Sequence, residues 1–195
     1  MCGIWNMINF YSYYNGDGLA RPEFKEPLTR SWNWTQSDKY KLDVIMHIIK
    51  RDRELALRYV DKVMNRRCQE VEPVLIAEPC YAYCYAGSII GGRWPEAEPY
   101  IMTDTWYALR YAVTIIKGRW PEAEPYILKD VSSSIIYARD VIKGRWKEFE
   151  PNIKDPRDAY RYAKEVARER CLDLEPRIKM NDRYWSLYCK EFGIE

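Results

Sequence analysis

Apolar and polar positions follow one another along most of the chain with the spacing of short helices, most clearly over residues 104–130. One stripe of apolar residues, three or four positions apart, predicts an amphipathic helix that Asp104 or Thr105 can cap. The stripe consists of Ala108, Tyr111, Ala112, Ile115 and Ile116. Gly118, which follows Lys117, is expected at the helix end because glycine tolerates the positive φ of a C-cap.

A second, shorter helix is predicted in the next segment, WPEAEPYILK. Pro121 and Pro125 are compatible with a helix only near its first turn, where backbone N–H groups have no partner inside the helix. Glu122 and Glu124 favour the same positive end of the helix dipole. Asp130 is then placed to cap the next long helix. The segment therefore pairs a long helix with a short one.

This helix pair is repeated along the chain. IIKGRWPEAEPYI at 115–127 nearly copies IIGGRWPEAEPYI at 89–101 and is similar to VIKGRWKEFEPNI at 141–153. Tyr–Ala pairs recur at steps of 26, 26 and 25 residues, and Glu–Pro pairs share that register. Because a fixed period of this length is typical of stacked arrays, we predict an all-α fold. It would be a short right-handed α-solenoid of 26-residue helix-pair repeats, with five repeats and a terminal half-repeat over residues 53–195.

Residues 1–36 lie outside the repeat and are predicted to form an irregular, partly β-prone N-terminal cap. The run MINFYSYYNGDG is aromatic and ends in a turn signal. Residues 37–52 predict an amphipathic lead-in helix. Because the end of a solenoid needs a cover, the first segment is expected either to be that cover or to carry the specific function.

Small residues and three cysteines fit the repeat alignment. A small side chain that allows close helix approach precedes each Tyr–Ala alanine by one turn, at Ala56, Ala82, Ala108, Ser134 and Ala159. Cys68 and Cys171 align with the repeated tryptophan, and Cys189 aligns with a Tyr–Ala alanine. We interpret these cysteines as apolar fillers. With no CxxC and only His47 as a histidine, neither a metal site nor a cofactor is predicted.

One arginine recurs in every repeat, and so does the glutamate of each Glu–Pro pair. The arginines are Arg67, Arg93, Arg119, Arg145 and Arg170. We favour a ladder of Arg–Glu pairs within or between repeats, because acidic residues follow each arginine closely. The alternative is a nucleic-acid-binding row. That row would consist of Arg93, Arg119 and Arg145 with the adjacent Trp94, Trp120 and Trp146.

Composition sets outer limits on the partners. A net charge of +2 argues against a strongly electrostatic partner such as duplex DNA, although a local basic patch remains compatible with it. No run reaches the roughly 18 apolar residues of a membrane span, and the start lacks a signal-peptide pattern. We expect a soluble, cytoplasmic protein without a membrane partner, and leave its oligomeric state open.

The start of the chain, MCGI, resembles class II glutamine amidotransferases, in which Met removal exposes a catalytic cysteine, here Cys2. Four residues match, and that family builds stacked β-sheets, whereas most of this chain predicts helical repeats. No phosphate-binding glycine loop and no Ser/His/Asp grouping occurs. We therefore predict that the chain is not an enzyme, with amidotransferase chemistry at Cys2 as a weak alternative.

Long-helix positions that point away from the apolar stripe vary between repeats. They are charged in the outer repeats and more apolar in the middle three. Either this face is exposed and binds a partner protein, or another layer of the fold covers it. The candidate partner-binding residues are Tyr83, Trp106, Leu109, Val113, Ile135 and Ile136.

The consensus A-x-x-Y-A-x-x-V/I-I-K-G-R-W-P-E-A-E-P-Y-I resembles a tandem helical repeat common in proteins of tailed bacteriophages and related mobile elements. The resemblance covers about residues 54–195, and YARDVIKGRW and EAEPYI match nearly residue for residue. It implies a small phage accessory protein that binds and inhibits a host protein, such as one of anti-phage defence, in the bacterial cytoplasm. It implies no catalytic residues.

Overall fold

The computed structural model describes residues 46–194, and all regular secondary structure in that range is helical. The predicted all-α class is therefore confirmed for this part of the chain. The described residues fall into two compact units that divide between Tyr100 and Ile101. The predictions for residues 1–36, and for most of the lead-in helix at 37–52, lie outside the described residues. Within the lead-in segment, residues 46–49 are helical.

In the first unit, each long helix begins as an α-helix and continues into a π-helical turn. The two long helices are α1 (Arg53–Tyr59) with π1 (Val60–Met64), and α3 (Pro79–Tyr85) with π2 (Ala86–Ile90). The short helix α2 (Glu72–Leu75) packs against both α1 and α3, which also contact each other. Helix α4 (Glu98–Ile101) follows and contains the division between the units.

The second unit has three long helices of the same kind. They are α5 (Thr105–Tyr111) with π3 (Ala112–Ile116), α7 (Val131–Tyr137) with π4 (Ala138–Ile142), and α8 (Pro156–Tyr162) with π5 (Ala163–Ala167). The short elements between and after them are α6 (Glu124–Ile127), a 3-10 helix (Glu150–Asn152) and α9 (Glu175–Ile178). Helix α10 (Asp182–Phe192) is the last described helix. Helix α7 packs against both α5 and α8.

Aspartates begin the long helices of the second unit, as the sequence predicts. The Asp104 carboxylate accepts hydrogen bonds from the backbone N–H groups of Trp106 and Tyr107, at 2.9 and 3.1 Å. Asp130 accepts one from Ser133 at 2.7 Å. Each bond satisfies an N–H group that has no partner inside the helix. Asp104, rather than Thr105, is thus the N-cap of α5.

The long helices end in a left-handed residue that lies one position before the predicted glycine. After π3 this residue is Lys117 (φ 58°), and after π4 it is Lys143 (φ 61°). The prediction for Gly118 is wrong because the N–H of Lys117 already bonds to the carbonyl of Ala112, five residues back, and closes a π turn. In the first unit, Gly91 (φ 69°) occupies the equivalent left-handed position.

The small and aromatic residues shared by the repeats are buried. Fully buried small side chains occur at all the predicted positions, Ala56, Ala82, Ala108, Ser134 and Ala159. Ser134 remains compatible with burial because its hydroxyl donates to the carbonyl oxygens of Ile127 and Asp130, at 3.0 and 2.9 Å. The sequence alignment thus identified the positions at which helices pack closely.

Candidate functional site

The recurring arginine and glutamate form a two-point ion pair within each repeat. The Arg119 Nε and Nη2 atoms donate to the two carboxylate oxygens of Glu124, at 2.8 and 2.9 Å. Arg145 does the same to Glu150, with both distances at 2.7 Å. The equivalent pairs are Arg67–Glu72, Arg93–Glu98 and Arg170–Glu175. The predicted Arg–Glu ladder is confirmed at these positions.

A tyrosine hydroxyl joins each of several pairs to the following long helix. The Tyr137 hydroxyl donates to Glu124 Oε1 at 3.0 Å and accepts a hydrogen bond from the backbone N–H of Trp120 at 2.7 Å. Tyr162 makes the same two bonds, to Glu150 at 3.1 Å and from Trp146 at 2.6 Å. Tyr85 does so in the first unit, with Glu72 and the Cys68 N–H. We call this arrangement the Arg–Glu–Tyr linkage.

Burial and the paired arginines shift the pKa values of several groups in the linkage. Burial raises the pKa of Tyr85 and of Tyr137 to about 12, so both hydroxyls keep their protons. The hydrogen bonds from Arg145 hold the pKa of Glu150 below its ordinary value, and Arg170 does the same for Glu175. Protonated phenols can donate to the neighbouring carboxylates, and the resulting hydrogen bonds connect the helices and stabilise the fold.

The proposed nucleic-acid row lacks the exposed tryptophans that base stacking requires. Its three tryptophans are buried, and each ring packs at a tilt against a tyrosine ring, with centroids 5.0–5.2 Å apart. They are Trp94, Trp120 and Trp146. A ring enclosed in this way has no face left on which a base can stack. The guanidinium groups of Arg93, Arg119 and Arg145 are held by their glutamates, so the charge of the row is neutralised.

The predicted partner-binding residues separate into two groups. Leu109 is 2% exposed and Ile135 is 0% exposed, so neither contributes to a surface. Ile135 is buried because its helix, α7, packs between α5 and α8; Leu109 lies on α5, which packs against both α6 and α7. For these two residues, the interpretation that another layer covers the face is the correct one. Tyr83, Val113 and Ile136 are partly exposed.

Trp106 is the most exposed of the six candidates, with 51% of its surface accessible. The Arg110 guanidinium lies over its ring, 5.5 Å from the centroid. Val113 is seven positions after Trp106, so these three residues follow one stripe of the long helix. Ile136 lies on the adjacent helix α7. We call Trp106, Arg110, Val113 and Ile136 the Trp106 surface.

The cysteines that replace the repeated tryptophan are buried, as the filler interpretation predicts. Burial raises the pKa of the Cys68 and Cys171 thiols to about 11, which leaves them protonated and unreactive. Cys189, Cys80 and Cys84 are half-buried. Cys2, the proposed amidotransferase nucleophile, lies outside the described residues.

Comparison with protein-family models, with curated proteins and with solved structures gives no significant match to this chain. Within residues 46–194, no helix combines the length and the apolar character needed to cross a membrane.

Proposed function

We propose that this chain is a non-enzymatic protein-binding module, built as a right-handed solenoid of helix-pair repeats of about 26 residues. The Arg–Glu–Tyr linkage supports this architecture because it ties one repeat to the next with the same atoms. Tyr137 and Trp120, for example, are joined across 17 positions of the chain. In such an array the repeated residues maintain the stack, and the variable surface residues select the partner.

The single observation that carries the binding proposal is the exposure of Trp106. Trp106 is 51% exposed and therefore offers a large apolar area to a partner. The Arg110 guanidinium lies over its ring and restricts its motion, so binding would cost this side chain little conformational entropy. Tryptophan and arginine are also the residue types that dominate the energetics of protein interfaces. The Trp106 surface therefore has the composition of an interface centre.

Charged residues on the neighbouring helices suit the rim of such an interface. Arg139, on π4, pairs with Asp140 at 2.7 Å and with Glu165, on π5, at 3.1 Å. Arg161 approaches the same glutamate at 3.1 Å. Interfaces commonly place paired, solvated charges around an apolar centre. The Trp106 surface would contact the partner first through its own apolar side chains.

The identity of the partner is proposed from the resemblance to phage repeat proteins. We infer that the module is a phage accessory protein of the bacterial cytoplasm that inhibits a host or anti-phage defence protein by occupying its surface. The motif GRWPEAEPYI, present twice, supports this step only through that resemblance. The inhibitory role is accordingly a separate hypothesis from the location of the binding surface.

The test is affinity capture from a bacterial lysate, followed by binding of the purified partner to wild type and Trp106→Ala. We expect Trp106→Ala to lose most of the affinity while unfolding at the same temperature as wild type, because Trp106 is exposed. Met180→Ala is the matched control, since Met180 is an apolar residue with 75% of its surface exposed. Equal affinity of Trp106→Ala and Met180→Ala for the purified partner would place the interface elsewhere.

A further inference from the structure

Helix α10 covers the tyrosine of its repeat with its own residues. The Tyr188 ring is buried and packs against the rings of Trp185 and Phe192, at 5.6 and 4.7 Å, and both of these lie on the same helix. The equivalent ring of α7, Tyr137, is covered at 5.2 Å by Trp146, which follows π4 in the chain. Helix α7 is therefore held by a residue that comes after it, whereas the Tyr188 ring is covered by α10 itself.

The other contacts between α10 and α8 lie at the surface. Tyr188 is the only buried residue of α10, all of whose residues the structure describes. Lys164 and Glu191, both exposed, form an ion pair at 2.7 Å. The rings of Tyr160 and Tyr184 are 6.3 Å apart, and both are partly exposed. Because exposed ion pairs add little stability, α10 is attached to α8 mainly through Tyr188.

Cys171 is the buried residue that α10 covers. Its side chain is 0% exposed, and its backbone N–H donates to the Tyr188 hydroxyl at 2.7 Å. Cys68 has the same place in the first unit, where its N–H donates to Tyr85 of α3 at 2.8 Å. The Tyr85 ring is in turn covered by Trp94, which follows π2, at 5.0 Å. Burial raises the pKa of both thiols to about 11, so neither is the more acidic.

We propose that α10 is a lid that opens as one element while the rest of the second unit stays folded. The hinge is the segment 179–181, which joins α9 to α10. Opening takes the Tyr188 hydroxyl away from Cys171 and uncovers that thiol together with Tyr160 on α8. An element held by few buried contacts opens at a lower free energy than the whole fold. The lid is independent of the Trp106 surface and of the proposed partner protein.

Thiol labelling under native conditions tests the lid. The reduced, full-length protein is treated with iodoacetamide, and the modified cysteines are identified by peptide mass spectrometry. Because a buried thiol reacts only when its cover opens, we expect Cys171 to be labelled at least ~10-fold faster than Cys68. Equal labelling rates for the two cysteines would overturn the proposal.

Hydrogen exchange separates the lid from two other kinds of opening. The amides of residues 185–192 should share a similar protection that is lower than that of α7, because the helix leaves as one element. Equal protection of α10 and α7 would mean that the second unit opens as a whole. Fast exchange confined to residues 190–192, with Cys171 unlabelled, would mean that only the last turn frays. Either result would overturn the proposal.

Tyr188→Phe weakens the attachment of α10 and should speed the labelling of Cys171 by about 10-fold, because the Cys171 N–H loses its acceptor. Hydrogen exchange in α7 should stay as in wild type. Tyr126→Phe, at a partly exposed tyrosine of the same unit, is the matched control and should change neither rate. Acceleration of α7 and α10 by the same factor in Tyr188→Phe would show that α10 does not open separately, and the comparison of Cys171 with Cys68 in wild type does not depend on this variant.

Discussion

The Tyr137 hydroxyl accepts a hydrogen bond from the backbone N–H of Trp120 at 2.7 Å and joins two successive repeats. The same hydroxyl donates a hydrogen bond to Glu124, whose carboxylate also accepts one from Arg119. The buried backbone N–H of Trp120 therefore has its hydrogen-bond acceptor in the next long helix, α7. Because an unpaired buried N–H is costly, this bond helps to hold the segment at Trp120 against helix α7.

Tyr137→Phe should lower the free energy of unfolding by about 1–3 kcal/mol, because it leaves the buried Trp120 N–H without its acceptor. Urea denaturation followed by circular dichroism measures the change. Tyr126→Phe is the control, since the Tyr126 ring is partly exposed and lies beneath Lys129. Equal stability of the two variants would show that the hydroxyl bond contributes no net stability.

Alkaline pH should weaken the fold through the same tyrosines. Burial raises the pKa of Tyr85 and Tyr137 to about 12, above the value of about 10 in an unfolded chain. The folded state therefore holds the phenol protons more tightly, and this stability is complete below pH ~10 and is lost as pH rises to ~12. Urea midpoints measured from pH ~9 to ~11 should fall, and Tyr137→Phe should reduce the slope. A slope unchanged by the substitution would contradict this assignment.

Arg145→Leu should move acid unfolding to higher pH. The hydrogen bonds from Arg145 lower the pKa of Glu150, so this glutamate stabilises the fold above its ordinary pKa and ceases to do so as pH falls. Without the arginine, the carboxylate stays buried beside Tyr162 with fewer donors and takes up a proton earlier. Acid titration followed by circular dichroism measures the midpoint. Arg53→Leu, at a pair with Glu78 whose two side chains are both exposed, should leave the midpoint unchanged.

Much of the local structure follows from the sequence because it depends on neighbouring residues. Asp104 and Asp130 cap helices through N–H groups two or three positions away, and both caps were predictable. The hydroxyl bonds of Tyr137 and Tyr162 were not, because they join residues 16 or 17 positions apart through a packing arrangement that periodicity does not specify. The available signal was the use of tyrosine, rather than phenylalanine, in successive repeats.

Burial on the long helices also depends on tertiary packing. Periodicity identifies one apolar stripe, whereas α7 packs on two sides and buries positions outside that stripe. Ile135 and Ile136 are adjacent and chemically identical, yet Ile135 is buried and Ile136 is partly exposed. No property of either side chain distinguishes them. Trp106, in contrast, was among the candidates and is exposed, since no described helix covers its ring completely.

Ile135→Ala should therefore destabilise the protein by about 2–5 kcal/mol, the usual cost of deleting a buried aliphatic side chain. Ile136→Ala should cost clearly less, because this side chain loses less buried area. Urea denaturation of the two variants gives a comparison at adjacent positions of one helix. Similar losses of stability would mean that α7 is not packed on the side of Ile135.

Alanine substitution at two glycines, Gly91 and Gly118, tests the effect of backbone conformation on stability without a change in packing. A Cβ atom built on Gly91 or on Gly118 meets no other atom within 4 Å, so neither substitution by alanine creates a clash. Gly91 has a φ of 69°, which costs alanine about 1 kcal/mol or more. Gly118 lies outside the left-handed region, so Gly118→Ala should stabilise the fold by about 0.4–1 kcal/mol by restricting the unfolded chain. The urea midpoint should therefore fall for Gly91→Ala and rise for Gly118→Ala. A fall for both variants would mean that position 118 also requires a glycine.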